Sequence, residues 1–550
     1  MIKIIYTILF LIVFSFSIGQ KVNFTSSNLP IVIIETGGVT IPDEPKINVN
    51  LKIIYNGPGM RNNVTDQVYD YNGFAGMELR GNSSQSFDQK QYAVETRDAA
   101  GDNLSVPLLG MPKENDWVLY APWNDISMIR NVIAYHLWDN MDHWGPRTRL
   151  CEVMLNGEYQ GVYVLTESIK RDDNRIKTAK LGEADITGRE VTGGYIMKID
   201  ASNNDNDKTF ASKVQGLGTN GGGTVNWLYH YPKSKNIAPE QEDYIHKYID
   251  TVETLIQSSN FADPINGYAK YLSLPSFIDY FIHSELSLNS DGMKRSAYFY
   301  KEKNGLDGTK GKFKAGSVWD YNLAYGNCNF CKGNQINAWV HEGCETLPTP
   351  AMWKRLIEDP NFINAVKCRY NELRTSILSD SYIHSFIDSY ADTLNEAQAR
   401  HFTQWDALLD NGSGGGGGWF SPLWFSAYRV KSYTEEIDTL KGWFSERLRF
   451  LDNNLGGQCL ITNTSVTIDS FDDVFVFPNP TQGAISVEVS QPIERIEIYS
   501  LQGQKVDELI IKGGGRRVVI SMFENYPSGI YTLLLYGHNE VVTRTVLKQE

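Results

Sequence analysis

The sequence has no excess of basic charge, no Lys/Arg tract, few cysteines and, past its first residues, no apolar run long enough to cross a bilayer. Fifty-one Lys and Arg stand against sixty-five Asp and Glu, a net charge of -14, which argues against non-specific binding to nucleic acid or to an anionic membrane surface. Only six cysteines are spread over 550 residues, so no dense disulfide scaffold substitutes for a core. With 41% hydrophobic residues the chain can bury a substantial core and divide into more than one domain.

The exception to the missing apolar runs is "MIKIIYTILFLIVFSFSIGQ". An early Lys, an apolar stretch from Ile4 to Phe14 and the small residues Ser17 and Gly19 predict a signal peptide over 1–19, with no transmembrane anchor after processing. In an exported chain the cysteines meet an oxidising compartment, so Cys328, Cys331 and Cys344 are expected in disulfides. The spacing Cys328-x2-Cys331 followed by His341-x2-Cys344 leaves zinc ligation as the alternative.

Residues 31–98 alternate as short strands separated by Gly, Asn and Ser, which predicts an N-terminal sheet. Met128, Ile129, Val132, Ile133, Leu137 and Met141 then recur at helical spacing, predicting a helix over about 127–141 with Asp125 or Ser127 as its cap. "CEVMLNGEYQGVYVLTES" reads as a hairpin turning at Asn156 and Gly157. Further on, "PEQEDYIHKYIDTVETLIQ" is an amphipathic helix and "LPSFIDYFIHSELSLN" a core helix. The five-glycine stretch within 412–425, beside Trp419, Phe420, Trp424 and Phe425, is expected to be a loop. After a Ser/Thr/Asp-rich linker, about seven short alternating strands predict a small all-β sandwich. The fold class expected is α+β, sheet first and helices later.

The candidate chemistry lies around "SVWDYNLAYGN". Strand patterns at 296–303 and 312–319, separated by the turn-rich "NGLDGTKG", should pair as a hairpin. Such a hairpin sets Asp291, before its first strand, beside Asp320, after its second. If the chain stays extended, Asn322 shares a side with Asp320, and two acids with an amide make a hard oxygen site suited to magnesium. A bound cation lets Asp291 remain ionised near Asp320 and act on a hydroxyl. On spacing alone the same residues serve equally as strand-end turn formers, and a carboxylate pair also suits glycoside hydrolysis.

"MELRGNSSQSFDQKQYAVET", "LLGMPKENDWVLYAPWNDISMIRNVIAYHL", "CEVMLNGEYQGVYVLTESIKRDDNRI", "GGYIMKID" and "SVWDYNLAYGN" resemble, in order, the blocks of the CotH kinase family. The resemblance runs from about Leu29 to residue 450. It implies a two-lobed atypical protein-kinase-like domain over 29–456 that binds ATP and Mg²⁺ or Mn²⁺ and phosphorylates Ser or Thr of a protein. Within it, Asp320 corresponds to the metal-binding acid, with Asn322 beside it, and Asp291 to the catalytic aspartate. Lys90 corresponds to a basic residue reaching the ATP phosphates, with Arg80, Gly81, Ser83 and Ser84 as phosphate neighbours. Glu167 and Arg130 fall in matching blocks and read equally well as ion-pair partners. The chain departs from the family pattern at Asn322, where many relatives carry Asp, and at Ser296, where they carry Asn. Those departures keep open a catalytically inactive surface module binding glycan or protein. The segments "FPNPTQGAISVEV", "RIEIYSLQGQKV" and "PSGIYTLLLYGHNEVVTRTVLKQE" resemble the type A sorting domain of the type IX secretion system. That resemblance implies a sorting domain over 474–550, a linker over 457–473, and delivery through the periplasm to the outer cell surface or beyond, where the protein substrate would be displayed or co-secreted.

Overall fold

The structure, a computed structural model, describes residues 22–200, 208–218, 222–345, 347–409, 428–459, 474–479, 481–500, 505–537 and 541–549. The expected signal peptide, the glycine-rich loop at 412–425 and nearly all of the expected linker lie outside the described residues. The chain divides into two compact units, Met1–Cys459 and Leu460–Glu550. Both helices and strands build the first, so it is α+β, and the second is β-rich.

The longer strands at the start of the first unit are β1 (Ile31–Glu35), β2 (Ile47–Ile54), β3 (Tyr69–Leu79), β4 (Tyr92–Arg97), β5 (Asp116–Tyr120), β6 (Thr148–Leu155) and β7 (Glu158–Glu167). They form a closed barrel in the order β6-β7-β5-β4-β3-β2-β1. Parallel pairing of β1 with β6 closes it, Ile31 opposite Glu152. Closure removes the free edges that an open sheet would present. Alternating residues such as Val32, Ile34, Leu51, Met77, Val94, Trp117, Leu119 and Tyr163 fill one apolar core. The β6–β7 hairpin turns at Asn156 and Gly157, both at positive φ, as that dipeptide favours. Strand β7 is buried on both faces, because its other side, with Val162 and Val164, packs into the second core.

That second core is built on a five-stranded sheet and seven helices. The strands β8 (Tyr195–Ile199), β9 (Thr209–Ala211), β10 (Asn226–Tyr231), β11 (Ala297–Lys301) and β12 (Phe313–Ala315) lie in the order β9-β10-β8-β11-β12. The helices are α1 (Arg130–Asp139), α2 (Pro239–Gln257), α3 (Leu274–Ser287), α4 (Met352–Ile357), α5 (Pro360–Arg374), α6 (Asp380–Gln404) and α7 (Tyr433–Asn454). Helix α2 buries Ile245, Ile249, Val252 and Ile256, one stripe at helical spacing. Helix α3 is sunk in the core as its sequence suggested, with Phe277, Tyr280, Phe281, Ile282 and Leu286 all buried.

Helix α1 starts three residues later than its apolar periodicity predicts, because Met128 adopts φ +63° in a turn that precedes it. Asp125 nevertheless serves its N-terminus: Oδ2 accepts the Arg130 backbone N–H at 2.9 Å. The Arg130 guanidinium is buried and lies 2.6 Å from both Asp125 and Glu436, which ties α1 to α7.

Cys331 is bonded to Cys344 and Cys368 to Cys459. Cys328 departs from expectation, since it remains a free, buried thiol directed at the Phe330 carbonyl, while Cys344 has taken Cys331. His341 contacts Glu285 at 2.8 Å. Among the described residues no three His, Cys, Asp or Glu side chains gather as a metal-ligand group, so the zinc spacing is not realised.

Among the described residues of the second unit, five strands stand where about seven short ones are expected: β13 (Val474–Phe477), β14 (Ile485–Ser500), β15 (Lys505–Ile520), β16 (Gly529–Tyr536) and β17 (Val541–Lys548). The runs "ISVEV" and "RIEIYS" lie on one 16-residue strand whose register with β15 shifts between Glu488 and Ile493. A register shift looks like a strand break in sequence but keeps the ladder going. Val487, Ile496, Ile498, Leu533, Leu535 and Val546 make the core of this unit.

Candidate functional site

Strands β11 and β12 form the expected hairpin, Phe299 opposite Ala315 and Lys301 opposite Phe313. Asp291 precedes β11 and Asp320 follows β12, and both line one cavity of about 850 Å³ within the first unit. Val118, Tyr120 and Thr166 of the barrel also line it, as do Lys198 and Tyr298 of the second sheet. Arg80, Gly81, Ser83, Ser84 and Asn322 complete the predicted residues found there.

Past β12 the chain does not stay extended. Asp320 adopts φ +64°, a left-handed conformation that Asp tolerates better than most residues. Three contacts fix it in place. Asn289 Nδ2 donates to the Asp320 carbonyl oxygen at 3.2 Å, the Asp320 N–H donates to Tyr135 Oη at 3.2 Å, and the Tyr321 N–H donates to Asn131 Oδ1 at 2.6 Å. Asn322 therefore reaches the cavity by a turn, not by strand alternation, and its Nδ2 donates to Asn124 Oδ1 at 3.0 Å. Its Oδ1, the atom by which an amide ligates a metal, is not used in that bond.

Burial pushes Asp320 up to about 7, reinforced by the charges of Asp291 and Asp200 and opposed by Arg80 and Arg295. Asp291 is also raised, by burial first and then by Asp200, against Arg295 and Lys294. Lys294 is pulled down to about 8 by burial, with Asp291 and Glu285 acting the other way. These carboxylates repel one another in a poorly solvated space, the condition that a divalent cation relieves. Two carboxylates and an amide, without a closed cage, are a donor set that would suit a magnesium ion.

The phosphate-side residues separate into two groups. At Gly81, φ is +100° and a Cβ would lie 1.9 Å from Ser84 Oγ, so only glycine fits this turn. The short helical turn Ser83–Ser86 follows it, and the Arg80 guanidinium lies 4.9 Å over the Trp319 ring. Lys90 and Glu167 are not among the cavity's lining residues. Lys90 Nζ donates to the carbonyls of Gln85 and Phe87 at 2.8 and 2.5 Å, fastening its own turn. Glu167 is buried against Arg147 at 3.0 Å and Arg175 at 3.7 Å, a structural ion pair. Sequence reasoning passed over Lys198, Asp200 and Arg295, which do line the cavity. The signal for the first two was present in "GGYIMKID", a strand that ends with two charged residues at i and i+2.

The sequence model of the family described as CotH kinase protein matches residues 77–451. That of the Secretion system C-terminal sorting domain matches residues 475–549. No curated protein matches the chain. The sorting domain marks the chain for type IX export to the cell surface or beyond, and among the described residues no helix is long and apolar enough to cross a membrane.

Proposed function

The chain belongs to the CotH kinase protein family, and from that premise we propose that it is an exported kinase transferring the γ-phosphoryl group of ATP to Ser or Thr of a protein on the cell surface or co-secreted with it. The observation that carries this reading is the convergence of Asp291, Asp320, Asn322 and the Arg80–Ser84 turn on one cavity. On this reading the barrel and the helical layer act as two lobes about the nucleotide.

Asp320 and Asn322 would hold Mg²⁺, and Arg80 with Ser83 and Ser84 would contact phosphate oxygens. The bound cation supplies neutralisation of the charge spread over the phosphates. Asp291 orients the acceptor hydroxyl and takes its proton as the new O–P bond forms and the bond to the β-phosphate oxygen breaks. Its raised affinity for protons makes it a better acceptor for that proton than an ordinary surface aspartate. Because ATP is scarce outside the cell, transfer is best placed in the periplasm, during transit. Asn322 puts a neutral amide where many relatives carry Asp, and Ser296 a shorter hydroxyl where they carry Asn, and this favours the second reading, an inactive surface module binding glycan or protein.

Label incorporation from ATP with Mg²⁺ or Mn²⁺ tests the proposal. Asp291→Ala should lower transfer at least about 100-fold while nucleotide affinity stays within about threefold. Asn322→Asp should tighten Mg²⁺ by adding a charged ligand. Nucleotide binding with no transfer to any co-secreted protein would favour the inactive module.

A further inference from the structure

Strand β8 carries Lys198 next to its last residue, Ile199, and Asp200 follows directly, two positions from Lys198. Its antiparallel register with β11 sets Lys198 opposite Tyr298 and Ile199 opposite Ala297, which brings Asp200 beside Ser296. All four residues, Lys198, Asp200, Tyr298 and Ser296, line the cavity, so this face of the second sheet forms part of its wall. Lys198 Nζ lies 3.0 Å from Asp200 Oδ2. Tyr298 is buried beside Lys198, and the charge of Asp200 acts on both Asp291 and Asp320, which places the pair at the acidic side of the cavity. Lys90, by contrast, spends two of its three donors on the turn it fastens.

We infer that Lys198, held in place by Asp200, is the lysine that binds the phosphate chain of the ligand. The inference rests on the nucleotide reading proposed above and assigns within it a residue that the sequence reading passed over. Charge supports it. Three acids, Asp200, Asp291 and Asp320, and three bases, Arg80, Lys198 and Arg295, line the cavity. Neutralising Lys198 leaves an excess of carboxylate facing a polyanion. An ion pair at the end of a strand also fixes a flexible lysine, so less conformational freedom is lost when it takes up a phosphate. A Lys as a point charge tolerates the changing geometry of a phosphate chain.

The test is calorimetric titration of the full-length protein with Mg·ATP, with inorganic tripolyphosphate and with adenosine, alongside thermal melting without ligand. Lys198→Met should weaken Mg·ATP and tripolyphosphate about 10- to 100-fold and leave adenosine affinity unchanged, which also reports that the variant is folded. Lys198→Arg keeps the charge and should stay within about threefold for tripolyphosphate. Lys90→Met should lower the melting temperature and weaken Mg·ATP and tripolyphosphate less than Lys198→Met does. If Lys198→Met does not bind adenosine, Lys198→Gln carries the same expectation. A parent that binds tripolyphosphate no better than Lys198→Met or Lys198→Gln overturns the inference alone, as does a loss confined to Lys90→Met. A parent that binds neither Mg·ATP nor tripolyphosphate overturns the nucleotide reading and this inference with it.

Discussion

Asp320 titrates where a surface aspartate would already be charged. An unfolded Asp loses its proton near pH 4, whereas burial and two neighbouring aspartates hold Asp320 up to about 7 in the folded protein. Between those values the native state binds the extra proton, so the ligand-free protein should lose stability as pH rises from about 4 to about 7 and then level off. Asp320→Asn should remove most of that slope, the raised Asp291 keeping the rest. By denaturant titration it should match the parent at pH 4 and exceed it at pH 8 by about 4 kcal/mol; equal stability at both values would mean that Asp320 is not withdrawn from water as described. At this scale the hairpin made Asp291 and Asp320 legible, because turn residues between two strand patterns imply their proximity. Lys90 stands outside the cavity's lining for a reason that pattern cannot supply. Its side chain is long enough to reach the carbonyls of its own turn, and nothing in residue type says which way it goes.

Helix α1 shows what remains hidden at the scale of the element. Its apolar stripe was readable, yet its start depended on the turn at Met128, and its anchoring depended on Glu436, 306 residues away. Arg130 satisfies two carboxylates in a dry environment, so removing it leaves them uncompensated. Arg130→Met should destabilise the protein by about 3–5 kcal/mol in urea unfolding, whereas Arg130→Met with Glu436→Gln should cost less. Additive losses would show that the buried pair is not coupled. The barrel was likewise legible only as strands. Alternation gives the inward face of each, but the parallel pairing of Ile31 with Glu152 that closes it joins segments far apart in the chain.

The whole molecule combines a CotH kinase domain with a sorting tail. The division into units at Cys459 and Leu460 coincides with the end of the Cys368–Cys459 disulfide. A chain ending just after Cys459 should therefore fold as the full chain does when produced in an oxidising compartment, and should fail to reach the cell surface. Surface delivery of that truncation would remove the sorting role from residues 475–549. The texture change after Cys459 was plain in sequence, whereas the cavity was not, since it draws its walls from a barrel, a second sheet and a turn near residue 320. The central claim is that this cavity holds a nucleotide through a metal at Asp320. The direct measurement is calorimetric titration of ATP into the parent and into Asp320→Ala, each with and without Mg²⁺ or Mn²⁺. The account predicts metal-dependent binding by the parent that Asp320→Ala loses, and a parent that binds no nucleotide under any of these conditions would contradict it.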